Sequence, residues 1–330
     1  MLVSGARIAV LLPCYNEAAA IAQTVADFRA ALPEATIYVY DNNSRDATRM
    51  IAAKAGAIVR SERQQGKGAV VRRMFADVEA DVYVMADGDA TYEATAAPEM
   101  VRRLLDEQLD MVVGARSSEV GAAYRRGHQF GNALLTGLLA RMFGRSFSDI
   151  LTGYRVFSRR FVKSFPVLTA GFEIETEISI HALELAMPLA EVLTIYSARP
   201  EGSESKLNTY SDGWRILRTM LDLYRSERPM LFFGIIAGLL VTAAVLVTIP
   251  LVLTYIHTGL VPRLPTAVLS TGLVIAAILS AFSGLILDTV TKGRREMKRL
   301  IYLQLAAPVR HEEVHQPVAR IYAETDLIPA

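Results

Sequence analysis

Cysteine is almost absent from this chain: Cys14 is the one example among 330 residues. A single thiol excludes an internal disulfide and a cysteine-ligated metal cluster. An excess of charge is also missing, because 35 Lys and Arg residues are balanced by 34 Asp and Glu residues, which leaves a formal net charge of +1. A chain balanced in this way has no strong overall attraction for nucleic acid, so we expect no nucleic-acid partner.

A secretory signal is missing as well. The first apolar run, "IAVLLP", is too short for one, and Asn16 and Glu17 follow it closely. The run instead predicts the first strand of a folded domain. Asn16 and Glu17 are residue types that can start a helix.

Short apolar runs alternate with helix-like segments as far as residue 115. This alternation predicts an α/β domain whose mainly parallel sheet is covered on both faces. Ligands of such sheets bind beyond the carboxyl ends of the strands. Polar segments follow the predicted strands and would gather at that edge, so they form the candidate active site: "PCYNE", "DNNS", "DGD" and "ARSS". The predicted strands are 7–12, 36–40, 82–86 and 111–115, and the predicted helices are about 17–31, 46–55, 67–79 and 95–108.

Two later segments have helical character. Residues 128–147 place their large apolar side chains on one helical face, flanked by arginines. This pattern fits a core-packed helix or a helix that lies in a membrane interface, and the apolar segments farther along the chain favour the interface. Residues 171–192 begin with acidic side chains, which are favourable at a helix start, and we interpret that segment as a helix.

The apolar excess of the chain is concentrated between Leu231 and Leu287. Residues 231–256 and 266–287 carry no charge, and at about 26 and 22 residues each is long enough to cross a bilayer core of about 30 Å. A turn rich in Gly and Pro separates them. These features predict a two-helix transmembrane hairpin.

Basic residues flank the outer ends of this hairpin, whereas the connecting loop has only Arg263. Positive charge concentrates on the cytoplasmic side, so both termini are expected to be cytoplasmic. The predicted organisation is a cytoplasmic catalytic domain (1–226), the two spans (227–290) and a cytoplasmic tail (291–330). Self-association through the spans and the 128–147 helix is a further expectation. The basic residues before and after the hairpin are Arg215, Arg218, Arg225, Arg228, Lys292, Arg294, Arg295, Lys298 and Arg299.

The segment "VYVMADGDATYE" ends a strand in two carboxylates one residue apart, Asp87 and Asp89. Neighbouring acids repel each other unless a cation lies between them. Carboxylate oxygens suit Mg²⁺ or Mn²⁺, which usually keep some waters and bind substrate phosphates. A lone acidic pair is more often an ordinary turn, but here the preceding strand and the other polar tips favour a metal site.

Other polar residues are candidates for a nucleotide or a phosphate. Asp41 can accept hydrogen bonds from a nucleobase edge or a ribose. Lys67 lies in "GKG" at a helix start, a favourable place for an anion, although the spacing of a complete phosphate loop is missing. Several basic residues could hold a phosphate jointly or could be solvated surface groups: Arg116, Arg125, Arg126, Arg199 and Lys206.

Taken as an ordered set, these motifs resemble glycosyltransferase family two, and within it the dolichyl-phosphate mannose synthase-like enzymes. The resemblance spans roughly residues 7–226. It implies a nucleotide-diphospho-sugar transferase (GT-A, Rossmann-like) domain that moves a sugar from a nucleotide donor to a polyprenyl phosphate, undecaprenyl or dolichyl, at the face of a membrane such as the bacterial inner membrane. The matching segments are "PCYNE", "DNNSRDAT", "GKGAVVRR", "DGD", "GAR", "SDILTGYRVFSR" and "RPEGSESKL".

The resemblance also implies roles for individual residues. Asp87 and Asp89 would hold the metal and the diphosphate. Pro13, Tyr15, Glu17 and Asp41 would surround the nucleotide, and Arg116, Arg126, Arg199 and Lys206 would meet the lipid phosphate. Asp149 would organise the acceptor site. The chain departs from many relatives at Asn42, Thr91 and Phe130, and Thr91 stands where a further metal ligand is expected.

A phosphate monoester is already a nucleophile, so this reaction requires no general base, and His128 and His181 are expected to be structural or surface residues. Direct displacement would invert the anomeric carbon. A polysaccharide synthase shares the fold, but it usually has more spans and a Q-x-x-R-W segment, whereas Trp214 stands in "GWR". A non-catalytic membrane scaffold is the second alternative. UDP- and GDP-sugars both remain open as donors.

Overall fold

The computed structural model describes residues 5–117, 147–167, 174–197 and 224–308, together with positions 137, 141, 218, 221 and 222. The predicted interface helix at 128–147 therefore lies almost entirely outside the described residues, as does the tail from residue 309. The chain divides into two compact units. The first comprises residues 1–209 and 298–330, and the second comprises residues 210–297.

The first unit is built on a seven-stranded sheet with the order β3-β2-β1-β4-β6-β5-β7. All neighbouring strands run parallel except β6, which is antiparallel to both β4 and β5. The strands are β1 Ile8–Cys14, β2 Thr36–Asp41, β3 Ile58–Ser61, β4 Val82–Met85, β5 Met111–Ser117, β6 Arg155–Ser158 and β7 Leu189–Ile195.

The helices between these strands cover both faces of the sheet. On one face, α1 and α4 bury apolar side chains together with Val10 and Leu12 of β1. On the other face, Phe75 of α3 meets Phe157 of β6 with 5.7 Å between ring centroids. The helices of the unit are α1 Ile21–Ala31, α2 Thr48–Lys54, α3 Lys67–Asp77, α4 Ala97–Asp106, α5 Arg159–Ser164 and α6 Ile174–Glu184, with a 3₁₀ turn at Ala94–Ala96 before α4.

The four predicted strands and the mainly parallel sheet are confirmed. Every residue of β1 and β4 is buried, as expected for central parallel strands whose two faces are both covered. Pro13 lies inside β1 and does not end it. Three strands were not predicted. Two of them, β3 and β6, have only four residues each. The third, β7, begins at Leu189, within the segment 171–192 that was predicted to be helical; the helix there, α6, ends at Glu184.

The reversed direction of β6 shapes the binding edge. Arg155 begins β6 opposite Met85, near the end of β4, so the segment just before β6 reaches the same edge as the tip of β4. Arg155 is fully buried and donates hydrogen bonds to the carbonyls of Thr152 (3.1 Å) and Ile150 (2.5 Å). Burial lowers the pKa of Arg155 to about 10. The guanidinium thereby fixes the loop that carries Asp149 and Gly153.

A second buried charge cluster lies at the other end of β5. Asp110 has no exposed surface, and its carboxylate accepts hydrogen bonds from the side chains of Arg160, Ser158 (2.7 Å) and Tyr302 (2.8 Å). The Arg160 guanidinium also lies over the Tyr302 ring, at 4.8 Å. Lys298 forms a 2.7 Å ion pair with the fully buried carboxylate of Glu184. Residues 298–303 are thus packed into the first unit.

Two helices of the described chain are long and apolar enough to cross a membrane, α7 Pro229–Thr258 and α8 Leu264–Leu303. The helix α7 lies in the second unit, and α8 belongs to it as far as residue 297. Their hydroxyls at Thr248 and Ser270 are 2.5 Å apart. Glu227, just before α7, pairs with Arg294 and Arg295 of α8. The helix α8 continues well past the predicted span end at residue 287, so the first residues of the predicted tail are helical.

Arg160→Ala removes the cation from a carboxylate that stays buried, and we expect it to lower the free energy of unfolding by about 3 kcal/mol. Arg159→Ala is the matched control, because its partner Glu79 is half exposed and the pair is long, at 3.4 Å; its cost should stay below about 1 kcal/mol. Thermal and urea unfolding of the detergent-solubilised chain measures both. Equal costs for the two variants would contradict this account of Asp110.

Candidate functional site

The predicted polar tips meet at one edge of the sheet. Register pairs Cys14 at the end of β1 with Asp41 at the end of β2, and it pairs Leu11 with Met85 of β4. The acidic tip, residues 87–89, follows β4 at this edge. The backbone N–H of Asn42 donates to the carbonyl of Cys14 at 2.9 Å, which ties the β1 and β2 tips together. The sequence prediction that these segments converge is confirmed.

The acidic tip packs tightly on the end of β1. A Cβ atom placed on Gly88 would lie 2.3 Å from Sγ of Cys14. Only glycine allows this approach, so position 88 is fixed by packing. Cys14 itself is 3% exposed, and burial raises the pKa of its thiol. The thiol is therefore a packing group beneath the tip.

Asp41 is a buried carboxylate with unused hydrogen-bonding capacity. It is 2% exposed, and Oδ2 accepts a hydrogen bond from the backbone of Ser44 at 3.2 Å. Within the part of the chain that the structure describes, Oδ1 has no hydrogen-bond partner. A buried acceptor without a partner is costly, so a ligand that donates a hydrogen bond there would be favoured.

Asn42 explains one departure from the family pattern. Its amide nitrogen donates to the carbonyls of Glu62 (3.0 Å) and Gln64 (2.8 Å), while its oxygen accepts from the backbone of Gly66 at 2.7 Å. A carboxylate could not make the two donations. Asn42 therefore anchors the loop that leads to Lys67.

Lys67 occupies the position next to the acidic tip. Its ammonium lies 2.5 Å from Oδ1 of Asp87 and 2.5 Å from Oε1 of Glu175. The Lys67 side chain is 10% exposed and that of Glu175 is 6% exposed. Burial by itself lowers the pKa of Lys67, but the charges of Asp87 and Glu175 outweigh it, so the pKa is raised and the ammonium stays charged. Lys67, predicted to meet a phosphate, is thus the counter-ion of Asp87 in this structure.

Asp89 is more enclosed than Asp87. It is 3% exposed, and its Oδ1 accepts hydrogen bonds from the hydroxyl of Thr91 at 2.6 Å and from the Thr91 backbone at 3.3 Å. Ala90, between them, has a φ of 56°, which is unusual for a residue with a side chain. The Thr91 hydroxyl therefore orients the carboxylate of Asp89 by hydrogen bonding to it.

Arg116 forms a second ion pair, separate from that of Lys67. Its Nε and Nη2 donate to the two oxygens of Asp149 at 2.6 and 2.9 Å, a fork geometry that fixes the guanidinium plane. The guanidinium also lies 5.3 Å from the centre of the Tyr196 ring. The sequence assigned Arg116 to a lipid phosphate and Asp149 to the organisation of that site. The structure brings these two residues together.

The remaining predicted residues divide into two groups. Pro13 and Glu17 are buried at the β1 tip and Tyr15 is half buried there, and the backbone N–H of Glu17 donates to the hydroxyl of Thr48 at 2.9 Å. Arg126, Arg199 and Lys206 lie outside the described residues.

Glu175 is the site residue that sequence reasoning assigned otherwise. A position in the first turn of a helix is by itself enough to favour an acidic side chain. The contact with Lys67 joins positions far apart in the chain, and no local pattern marks it. Acids in the first turn of a helix are usually exposed, whereas Glu175 is 5% exposed. This burial marks Glu175 as a site residue, and it is visible only in the structure.

The acidic tip fits a divalent cation that arrives with a ligand. Within the described ranges, no cluster of three or more His, Cys, Asp and Glu side chains could hold a metal alone. Asp87 and Asp89 nevertheless provide hard oxygen donors one residue apart. Mg²⁺ and Mn²⁺ sites often use one or two carboxylates and complete their coordination with water and substrate phosphates.

A mixed sheet of this topology, with an acidic tip after its central strand β4, defines a GT-A-like α/β domain. The chain belongs to glycosyl transferase family 2, whose pattern it matches over residues 9–165. Members of this class use nucleotide-sugars as glycosyl donors.

Relatives and solved structures agree with this assignment. The chain is 37% identical to glycosyltransferase AglJ of Haloferax volcanii over 232 residues, 69% of this chain and 75% of the relative. It is 27% identical to a dolichyl-phosphate hexose transferase of the same organism over 221 residues, 67% of this chain and 95% of the relative. Glucosyl-3-phosphoglycerate synthase of Mycobacterium tuberculosis, solved with Mn²⁺, UDP and glucosyl-3-phosphoglycerate, shares the fold with a TM-score of 0.56 and 22% identity, covering 67% of this chain and 80% of that chain.

Gly88→Ala tests the packing of the acidic tip on β1. The added methyl group would overlap the Cys14 sulfur, and we expect the variant to lose about 1–3 kcal/mol of unfolding free energy. Cys14→Ala makes room, so the double variant should be more stable than the sum of the two single losses predicts. Urea unfolding of the four proteins gives this coupling. Strict additivity would contradict the contact.

Proposed function

We propose that this protein transfers a sugar from a nucleotide-diphosphate donor, a UDP- or GDP-sugar, to a polyprenyl phosphate at the cytoplasmic face of a membrane, with inversion at the anomeric carbon. One observation carries the proposal. The acidic tip and the Asp41 oxygen that has no partner among the described residues lie at the same sheet edge in a chain with two membrane-length helices.

The nucleoside would be bound at the tips of β1 and β2. The buried Oδ1 of Asp41 would accept a hydrogen bond from a base N–H or a ribose hydroxyl. Pro13, Tyr15 and Glu17 would form the wall of this pocket. A polar group of the nucleotide that satisfies Asp41 would recover the cost of burying that carboxylate, which favours a ligand with a donor at this point.

The diphosphate would lie at the acidic tip. Asp87 and Asp89 would hold Mg²⁺ or Mn²⁺, and the mycobacterial synthase of the same fold has been solved with Mn²⁺ and UDP. When bound, such a cation supplies positive charge that stabilises the departing diphosphate. Thr91 would keep the Asp89 carboxylate in orientation through its 2.6 Å hydrogen bond.

The acceptor would need no general base. A phosphate monoester with a second pKa of about 6 is largely dianionic at neutral pH and can attack directly. His181 agrees with this interpretation. It is 1% exposed, its Nε2 lies 3.1 Å from the hydroxyl of Ser164, and burial lowers its pKa to about 3. It is therefore a neutral packing residue.

Arginines would guide the acceptor. Arg116 is held by Asp149, which presents the guanidinium in a fixed plane but also neutralises part of its charge. We assign Arg116 to the border of the acceptor site, and by family resemblance we assign the direct phosphate contacts to Arg126, Arg199 and Lys206. A relative named as a dolichyl-phosphate hexose transferase supports a lipid phosphate as acceptor.

The helices α7 and α8 would keep the enzyme at the bilayer that contains its lipid substrate. The basic residues near their outer ends favour a cytoplasmic location for the catalytic domain and both termini, as in a bacterial inner membrane. The charged diphosphate of a nucleotide-sugar does not cross hydrocarbon unaided, so the donor would have to be on the same side of the membrane as the catalytic domain. Water-soluble donor and lipid acceptor would thus meet at that face.

Asp89→Asn should abolish sugar transfer, with a loss of at least about 100-fold, because the amide removes a negative charge from the proposed metal site. Folding should be retained, since the amide oxygen can still accept from Thr91. Asp27→Asn, at an exposed position of α1, is the matched control and should keep full activity. Turnover is measured with saturating Mn²⁺. Near-normal turnover of Asp89→Asn would contradict the metal assignment.

A donor panel tests the reaction itself. We expect the purified protein to convert one of UDP-glucose, UDP-N-acetylglucosamine or GDP-mannose, together with a short-chain polyprenyl phosphate, into a glycosylated lipid phosphate detected by mass spectrometry. The reaction should stop when the cation is chelated. Extension of a saccharide without use of the lipid would favour a synthase of the same fold, and the absence of any transfer would favour a scaffold.

A further inference from the structure

The ion pairs of Lys67 have a consequence for how a cation can reach the acidic tip. The ammonium touches Asp87, the more exposed of the two tip carboxylates, whose side chain is 31% exposed. Any divalent cation that binds Asp87 must therefore lie close to an existing positive charge. Like charges at such a separation repel strongly in a partly buried site.

Glu175 keeps this ammonium in place. Glu175 lies in the first turn of α6, and its carboxylate contacts the same Nζ at 2.5 Å. Glu175 is 5% exposed. A Cβ atom placed on Gly153 would lie 2.8 Å from Oδ2 of Asp87 and 3.1 Å from Nζ of Lys67, so the backbone of the loop before β6 closes over the pair. Lys67 is held from several sides and is not a mobile surface lysine.

We propose that Lys67 is a built-in counter-ion that weakens the binding of a divalent cation to Asp87 and Asp89 until a diphosphate is present, with Glu175 as its positioning residue. This inference rests on the proposed function, because it concerns the same metal and the same donor. A diphosphate adds negative charge next to the ammonium and the cation, so it relieves their repulsion. Cation and nucleotide then bind cooperatively, and each strengthens the other by the same factor.

The test is a binding measurement without acceptor or turnover. Free Mn²⁺ is followed by electron paramagnetic resonance as it is titrated into the detergent-solubilised full chain, first alone and then with saturating UDP or GDP. The fall in free Mn²⁺ that each nucleotide causes without protein is subtracted. For the unmodified protein we expect the nucleotide of the true donor to tighten Mn²⁺ binding by about tenfold or more. For Lys67→Gln we expect Mn²⁺ alone to bind about tenfold more tightly, and we expect the gain from that nucleotide to shrink by a similar factor.

Two further variants keep the outcome interpretable. Lys67→Gln leaves Glu175 buried without its partner, so the double variant Lys67→Gln/Glu175→Gln, which removes one charge of each sign, should fold more stably. It should bind Mn²⁺ alone more tightly than the unmodified protein, but by a smaller factor than Lys67→Gln, because the nearby negative charge of Glu175 is also lost. Lys163→Gln is the matched control. Lys163 lies on α5 and forms a 2.7 Å ion pair with Glu79. Its replacement also removes an ion-paired lysine and should leave Mn²⁺ binding unchanged.

Unchanged affinity for Mn²⁺ alone in the folded Lys67 variants would overturn the inference and leave the proposed function standing. An equal gain in Lys163→Gln would also overturn it, because net charge would then explain the effect. Mn²⁺ that binds neither the unmodified protein nor the variants, with UDP or with GDP, would count against the proposed function as well.

Discussion

The ammonium of Lys67 holds together three segments that are distant in the sequence. It lies at the start of α3, and its two partners lie at the tip of β4 and in the first turn of α6. Three carboxylates at one end of a sheet would repel each other in a poorly solvated site. A fixed internal cation allows Asp87, Asp89 and Glu175 to remain close together, and the geometry of the candidate site depends on that balance.

The site is divided by charge. On the side of β1 and β2, the buried carboxylate of Asp41 has an oxygen with no partner in the described part of the chain, and this oxygen suits the neutral hydrogen-bond donors of a nucleoside. At the tip of β4, acids and one ammonium suit a cation with a diphosphate. Beyond it, Arg116 forms a fork with Asp149 near Tyr196. A donor whose base, diphosphate and sugar are arranged in line would meet these environments in the same order.

The antiparallel strand β6 makes this arrangement possible. In an all-parallel sheet, the segment before each strand lies at the amino edge, away from the ligand. Because β6 runs the other way, the loop before it reaches the ligand edge with Asp149 and Gly153. The buried guanidinium of Arg155 donates to two carbonyls of that loop, so a structural arginine positions residues of the candidate site without contacting their side chains.

The sequence by itself determined the α/β class, the central strands, the convergence of the polar tips and the two membrane-length helices. These features follow from local patterns: continuous apolar runs for buried strands, polar residues at strand ends, and uncharged stretches long enough for a bilayer. Short strands such as β3 and β6 have too few residues to produce a pattern. Only the tertiary structure decided that Lys67 lies between Asp87 and Glu175 and that Asp149 engages Arg116, because ion pairs between distant residues depend on chain topology and burial, which no local spacing encodes.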